Sequence, residues 1–301
     1  MNILLLGCMG HVGWELQRAL SPLGEVVALD LSPTSAADCV DLSDAQSLSR
    51  TVRHIAPDVI VNAAAYTAVD QAESQSALAH AVNALAPAVL AAEAQRLGAW
   101  LLHFSSDYVF DGSGQLPWRE TDAPAPLNVY GHSKHAGDVA VAQYPKHLIL
   151  RSSWVYGLRG NNFPKTILRL AAEQDSLRVV ADQWGAPTSA ELLADVTAHV
   201  LRIAMAAPEL AGLYHCAAAG AVSWQGYASF VLAQAQALGW ALRAGPGEVL
   251  ATATVPEAGR ALRPLNSRLN TDKLQQAFGL HLPSWQDGVL RFLAELKEVR
   301  S

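Results

Sequence analysis

Cysteine is scarce in this sequence of 301 residues: only Cys8, Cys39 and Cys216, odd in number and far apart. Such scatter excludes a disulfide framework or a thiolate zinc site and points to a reducing compartment, the cytoplasm. Long apolar runs are missing as well. None reaches, uninterrupted, the ~20 residues that span a bilayer, and the first apolar stretch, residues 3–6, is too short for a secretory leader and reads as a strand. There is no run of lysine or arginine, and the formal net charge is -6, which argues against a nucleic-acid or anionic-membrane surface. A nucleotide ligand is not excluded, because it needs only backbone amides and one or two local cations. Internal repeats and low-complexity tracts are also lacking.

What is present is a hydrophobic content of 51%, enough for a sizeable core. Short, nearly unbroken apolar runs at residues 3–6, 26–29, 59–61, 100–104 and 148–150 suit strands buried on both faces of a parallel sheet. Helix-length amphipathic or alanine-rich stretches at 12–20, 45–55, 77–96 and 134–143 lie between them. The alternation predicts an α/β fold, a Rossmann-type doubly wound parallel sheet over residues 1–150. Asp44 and Gly98 read as a helix start and a helix stop. From 151 to 301 the rhythm loosens, with helical patterns near 163–173, 190–206, 224–238 and 285–299. A smaller, mostly helical substrate domain is expected there, with segments that can return to the first.

The first strand runs into Gly7-Cys-Met-Gly10-His-Val-Gly13 and then a helix. Gly7 permits a tight turn, Gly10 lets backbone N–H groups approach a pyrophosphate, and Gly13 allows close helix–sheet packing. Asp30 closes the second apolar run, where a carboxylate accepts from ribose hydroxyls and repels a 2′-phosphate. NADH is therefore expected to be favoured, although Ser32 and Ser35 leave room for NADPH. Asp41-Leu42 and the small residues of Asn62-Ala-Ala-Ala65 belong to further strand ends and loops.

Ser105-Ser106-Asp107 stands at another strand end, where ligands of open α/β sheets bind. Tyr130 and Lys134 follow at i,i+4, which puts phenol and ammonium on one helix face. The ammonium is expected to lower the tyrosine pKa toward the range for proton transfer, with Ser106 holding the substrate oxygen.

With these features in this order, the chain resembles the extended short-chain dehydrogenase/reductase superfamily and, within it, the dTDP-4-dehydrorhamnose reductase branch. The resemblance runs through Asp58-Val-Ile-Val-Asn-Ala-Ala-Ala-Tyr-Thr-Ala-Val-Asp70, Ser105-Ser-Asp-Tyr-Val-Phe110, Ser153-Trp-Val-Tyr156, Gly185-Ala-Pro-Thr188 and Arg263-Pro-Leu-Asn-Ser-Arg-Leu-Asn270. It implies reduction of the C4 ketone of dTDP-4-dehydro-L-rhamnose to dTDP-L-rhamnose by NADH or NADPH. Tyr130 is the implied proton donor, Lys134 its partner and a ribose ligand, and Ser106 the residue orienting the ketone. Asp107 and Trp154 match sugar-nucleotide contacts. Gly10, His11, Val12, Asp30, Asp41, Leu42, Ala65, Tyr66, Thr67 and Phe104 match cofactor contacts. Threonine is usual in the family where Ser106 stands, and glutamine is frequent where His11 stands. Some members form a homodimer through a magnesium site of glutamates, matched here by Glu15, Glu191 and Glu295; exposed helix glutamates are the plain alternative.

Two other functions share this scaffold. Sugar-nucleotide dehydratases and epimerases are one, but the dehydratases commonly carry Asp-Glu after the strand-end hydroxyl, whereas Ser106 is followed by Asp107-Tyr108. A cofactor-binding regulatory subunit is the other, favoured by loss of the tyrosine or lysine; both are present.

Overall fold

The computed structural model describes residues 1–31, 39–257 and 259–300; Ser32 and Ser35 lie outside them. The main sheet contains β1 (Asn2–Leu6), β2 (Glu25–Leu29), β3 (Val59–Asn62), β4 (Trp100–Ser106) and β5 (His147–Ser152). Four short strands follow, β6 (Val155–Tyr156), β7 (Leu177–Val180), β8 (Trp184–Gly185) and β9 (Thr188–Ser189). Then come β10 (Gly212–His215), β11 (Val222–Ser223) and β12 (Val249–Thr252). The sheet order is β10-β5-β4-β3-β1-β2, and every neighbouring pair in it is parallel. All-parallel pairing buries both faces, which is why these strands are apolar throughout rather than alternating.

The first helices are α1 (His11–Leu20), α2 (Ala45–Ile55), α3 (Val69–Ala72), α4 (Ser76–His80), α5 (Ala86–Leu97) and α6 (Val129–Ala142). They are followed by α7 (Phe163–Glu173), α8 (Ala190–Ala206), α9 (Trp224–Ala237), α10 (Asp272–Phe278) and α11 (Trp285–Arg300). Successive side chains of a strand point to opposite faces. Ile3 and Leu5 accordingly join a cluster with Leu16 of α1, Leu193 and Val200 of α8 and Phe278 of α10. Leu4 and Leu6 enter the cluster on the other face, with Leu48 of α2, Leu90 of α5 and Val141 of α6. A third cluster, built on Ile167, Tyr227, Val231, Trp285 and Phe292, holds the smaller helical part together.

The chain crosses back after residue 151: α8 packs on α1, and β10 extends the main sheet beside β5. The alanine-rich stretch is less uniform than its composition predicts. A π-helical turn at Ala81–Leu85 separates α4 from α5. The whole run Ser76–Leu97 is apolar and long enough to cross a membrane, but half of it is buried within the fold, where α5 packs between α2 and α6.

Candidate active site

The strand order reverses between β1 and β3, and their carboxyl ends are where an open sheet of this kind binds ligands. Gly7, with φ of 82°, makes the turn there. A Cβ on Gly7 would lie 2.6 Å from the Ala64 nitrogen, and one on Gly13 only 1.9 Å from the Gly7 carbonyl oxygen. Only glycine therefore lets the turn, α1 and the end of β3 nest so closely. Helices α2, α6, α7, α8 and α9 are capped by the side chains of Asp44, Asn128, Asn162, Ser189 and Ser223. At α1 the cap is Gly10, and no side chain takes the first-turn amides. First-turn N–H groups of this kind suit an anion.

Asp30 accepts from the Met9 amide at 2.9 Å and from its neighbour Leu31 at 2.8 Å, tying the glycine turn to the end of β2. Asp41 is occupied by the Ser43 amide and hydroxyl at 2.8 and 2.7 Å, with Leu42 buried beneath it. Ala65, Tyr66 and the exposed Thr67 follow β3. Their backbone is clasped by Asn83, which accepts from Tyr66 N at 2.8 Å and donates to Tyr66 O and Ser133 Oγ, both at 3.0 Å. The His11 side chain meets the segment before α7: its Nε2 stands 3.1 Å from the Asn161 carbonyl, and its ring lies against Gly157 and Gly160. Burial lowers its pKa. The amide cradle and the small-residue walls fit a nicotinamide dinucleotide.

Two strands further, β4 ends in Ser106, with Asp107 after it. Opposite, Asn128 caps α6 by accepting from Gly131 N at 2.8 Å, and its amide donates to Leu262 O at 2.7 Å. Gly131 brings that helix against the chain after β4, since a Cβ there would lie 2.2 Å from the Tyr108 carbonyl oxygen. The Tyr108 ring meets Tyr130 edge-on, with centroids 5.6 Å apart. Lys134 is buried, and its Nζ donates to Phe104 O at 2.6 Å.

The expected lowering of the Tyr130 pKa is corrected here. Burial pushes the phenol up to about 12, with Ser106 acting against the shift and Asp107 adding to it. Burial likewise brings the Lys134 ammonium down to about 8, against the pull of Asp138. In this geometry desolvation is the leading cause of both shifts. A protonated phenol at neutral pH is the form a reduction needs.

Asp107 is 3% exposed. Its Oδ1 accepts from the Ser106 hydroxyl at 3.0 Å. Burial raises its pKa from 3.8 to about 6, opposed by Ser267 and Ser106. The folded carboxyl thus keeps its proton longer than the unfolded one, and stability is lost as pH rises from about 4 through about 6. Asp107→Asn is expected to stabilise the protein by about 1–3 kcal/mol at pH 8 and by much less at pH 4. Thermal melts at the two pH values check this; equal effects at both would place the origin outside the carboxyl's titration.

Trp154 stands two residues past Ser152, the β5 partner of Ser106. It holds a left-handed φ of 50° and stacks on Trp224 with centroids 3.6 Å apart. Non-glycine residues in that region cost about 1–3 kcal/mol and gather where surrounding packing fixes a side chain for use. Gly185 makes room, since a Cβ there would lie 2.5 Å from the Trp154 ring. Trp224 is thus the wall behind this candidate substrate residue.

The magnesium expectation is not supported. Glu15, Glu191 and Glu295 do face one another closely enough for the other two to help raise the pKa of Glu191. Arg291, however, pairs with Glu191 at 3.2 Å and with Glu295 at 3.1 Å, while Arg18 approaches Glu15 at 3.6 Å. Among the described residues no group of three His, Cys, Asp or Glu side chains is placed to hold a metal. The guanidinium groups supply the compensation a cation would.

Several residues around the site escaped the motif reading. Arg151 and Asp138 form a buried ion pair at 2.9 Å behind Lys134. Asn62 of β3 and His103 of β4, each 1% exposed, pair in register, and His103 meets Lys134 of α6. The signal for three of them was a polar side chain in or closing a buried apolar strand: Asn62, His103 and Arg151.

An open parallel sheet with first-turn amides at its switch point, and a half-buried phenol and a buried ammonium beside the next strands, defines the extended short-chain dehydrogenase/reductase class. Within that class, the chain belongs to the family described as the RmlD substrate binding domain, whose model matches residues 1–298. It is 53% identical over 297 residues, 98% of each chain, to the dTDP-4-dehydrorhamnose reductase of Escherichia coli (strain K12). A crystal structure of a dTDP-4-dehydrorhamnose reductase from Clostridium acetobutylicum superposes with a TM-score of 0.87 at 32% identity, covering 99% of this chain and 100% of that one. Another, from Bacillus anthracis and in complex with NADP, gives 0.84 at 34% identity over 98% of both.

Proposed function

We propose that this chain catalyses the NAD(P)H-dependent reduction of the C4 ketone of dTDP-4-dehydro-L-rhamnose to dTDP-L-rhamnose, in a reducing compartment. The observation that supports the reading is the side-chain contact of Tyr130, on α6, with Ser106, at the end of β4, in a chain of this family. Gly7, Gly10, Val12 and Gly13 hold the pyrophosphate by backbone contacts, and Asp30 and Lys134 hold the two riboses. Asp41, Leu42, Ala65, Tyr66, Thr67 and Phe104 line the adenine and nicotinamide ends, with His11 contributing its backbone. When bound, the nucleotide supplies the hydride.

Tyr130 donates its phenolic proton to the C4 oxygen as that oxygen gains charge, and the Ser106 hydroxyl, turning from Asp107 Oδ1, donates a hydrogen bond to the same atom. Lys134, positively charged at neutral pH with its pKa near 8, stabilises the phenolate that remains. Asp107 and Trp154 hold the sugar.

The carboxylate of Asp30, fixed by Met9 N and Leu31 N, repels a 2′-phosphate and so favours NADH. The test is nucleotide oxidation followed with enzymatically prepared dTDP-4-dehydro-L-rhamnose and identification of the product. Turnover is expected with both nucleotides, with the higher kcat/KM for NADH. Folded, nucleotide-binding protein without turnover would overturn the assignment, and a preference for NADPH would remove Asp30 as the selector.

A further inference from the structure

Lys134 meets His103 and, through it, Asn62, two buried polar side chains that the catalytic motif does not account for. Asn62 and His103 sit directly opposite one another in the register of β3 and β4. Both are about as buried as any leucine of the sheet, at 1% exposure. The His103 Nε2 lies 3.5 Å from the Lys134 Nζ, and its Nδ1 lies 3.1 Å from the Asn62 amide nitrogen. Placing such polar groups where apolar side chains would pack costs desolvation unless their hydrogen bonds are made. The bonds they can make are few, and they fix one another.

Burial first, and then the neighbouring ammonium, depress the His103 pKa well below its ordinary value, so the ring is neutral. A neutral imidazole has one N–H and one lone pair, and an ammonium can only donate. Lys134 therefore needs the lone pair on Nε2, which puts the proton on Nδ1. That proton requires an acceptor from Asn62. The Asn62 Oδ1 is buried with no hydrogen-bond partner, and a half-turn of the amide exchanges it with the nitrogen and sets it on Nδ1–H. The electrostatics of the three side chains thus select a single tautomer and a single amide orientation.

We propose that His103, oriented by Asn62, is a positioning residue for Lys134: its Nε2 accepts one hydrogen of the ammonium. Phe104 O accepts a second at 2.6 Å. Of the three donors on an ammonium, one is then left for the nucleotide ribose and Tyr130. A lysine side chain has rotamer freedom in several bonds, and fixing it before ligand binding removes an ordering cost from the loaded state. His103 touches no reacting atom and acts through Lys134 alone. The kinetic part of this inference rests on the reductase reading above; the structural part does not.

Two amide substitutions separate the positioning role from plain packing. His103→Gln places an amide atom near the position of Nε2, whereas His103→Asn places one near Nδ1 only. The expected result is kcat and NADH affinity within about threefold of wild type for His103→Gln. For His103→Asn, kcat is expected to fall by about 10–100-fold and NADH binding, read by nucleotide fluorescence, to weaken, as suits a lost hydrogen bond to a charged group. Equal behaviour of the two variants, whether both active or both impaired, would overturn the proposal. Where the variants do not fold, the wild-type chain decides: in long-range 1H–15N spectra of the histidine-labelled protein, His103 is expected as the neutral Nδ1–H tautomer. The Nε2–H tautomer would overturn it. If wild type fails to reduce the keto sugar, the reductase reading falls, and NADH affinity with the tautomer still decides the role of His103.

Discussion

Tyr130→Phe should lower kcat by about 10^2–10^4-fold while leaving NADH affinity within about threefold of wild type. The substitution removes one oxygen and keeps the ring, so the edge-on packing against Tyr108 at 5.6 Å survives. What is lost is the proton. With its pKa raised to about 12 by burial, the phenol is protonated at every pH at which the protein would be assayed, and nothing else at that position can replace the donor. Asp107 is the nearby carboxyl able to offer an alternative. Its pKa of about 6 leaves only about a tenth of the carboxyl protonated at pH 7. Turnover by Asp107 would therefore fall steeply between pH 5 and 7, whereas turnover by Tyr130 would not follow that titration. Steady-state rates for the variant at pH 5 and pH 7, with fluorescence titration of NADH, check both statements. Retained kcat would remove Tyr130 from the proton-donor role, and a residual rate that disappears toward pH 7 would assign the remainder to Asp107.

The elevated pKa of Tyr130 also shows where sequence spacing stops being informative. An i,i+4 pair fixes which helix face two side chains share, but not how much water each loses or which other atoms they meet. Lys134 is 2% exposed and gives its shortest described bond to Phe104 O, a backbone atom that no motif marks. The strands and most long helices were legible because parallel strands must be apolar throughout and because Asp44 and Gly98 mark helix ends by their own chemistry. Less was legible in the returning segments. Strand β10 is four residues long and pairs with β5 far back in the chain, a non-local contact without local periodicity. Nor did alanine content disclose the π-helical turn that turns Asn83 toward Tyr66 and Ser133. The arginines beside Glu15, Glu191 and Glu295 belong to the same class of omission: carboxylates can be matched by position, but their compensation is visible only in three dimensions.

Behind the lysine, Asp138→Ala should destabilise the fold by about 3–5 kcal/mol. The carboxylate is 2% exposed and binds the Nε of Arg151, itself 3% exposed. Its removal leaves a guanidinium buried beside Phe110, whose ring centroid is 5.2 Å from the Arg151 Cζ. Aromatic contact does not replace a carboxylate in that environment. A lowering of Tm by roughly 5–8 °C is the expected thermal signature, and a loss below about 1 kcal/mol would mean that Arg151 finds other compensation. The double variant Asp138→Leu, Arg151→Met removes both charges and should recover most of the stability, because a buried pair contributes little net free energy over apolar residues of similar size. Recovery of stability should not restore the rate. Asp138 lies one turn beyond Lys134 on α6 and raises its pKa against the effect of burial, and removing it lets that pKa fall further below about 8. In the double variant the alkaline limb of kcat should move to lower pH while the melting curve stays near wild type. A wild-type pH profile in that variant would confine the Asp138–Arg151 pair to holding β5 against α6. A displaced limb would make it the group that keeps Lys134 charged.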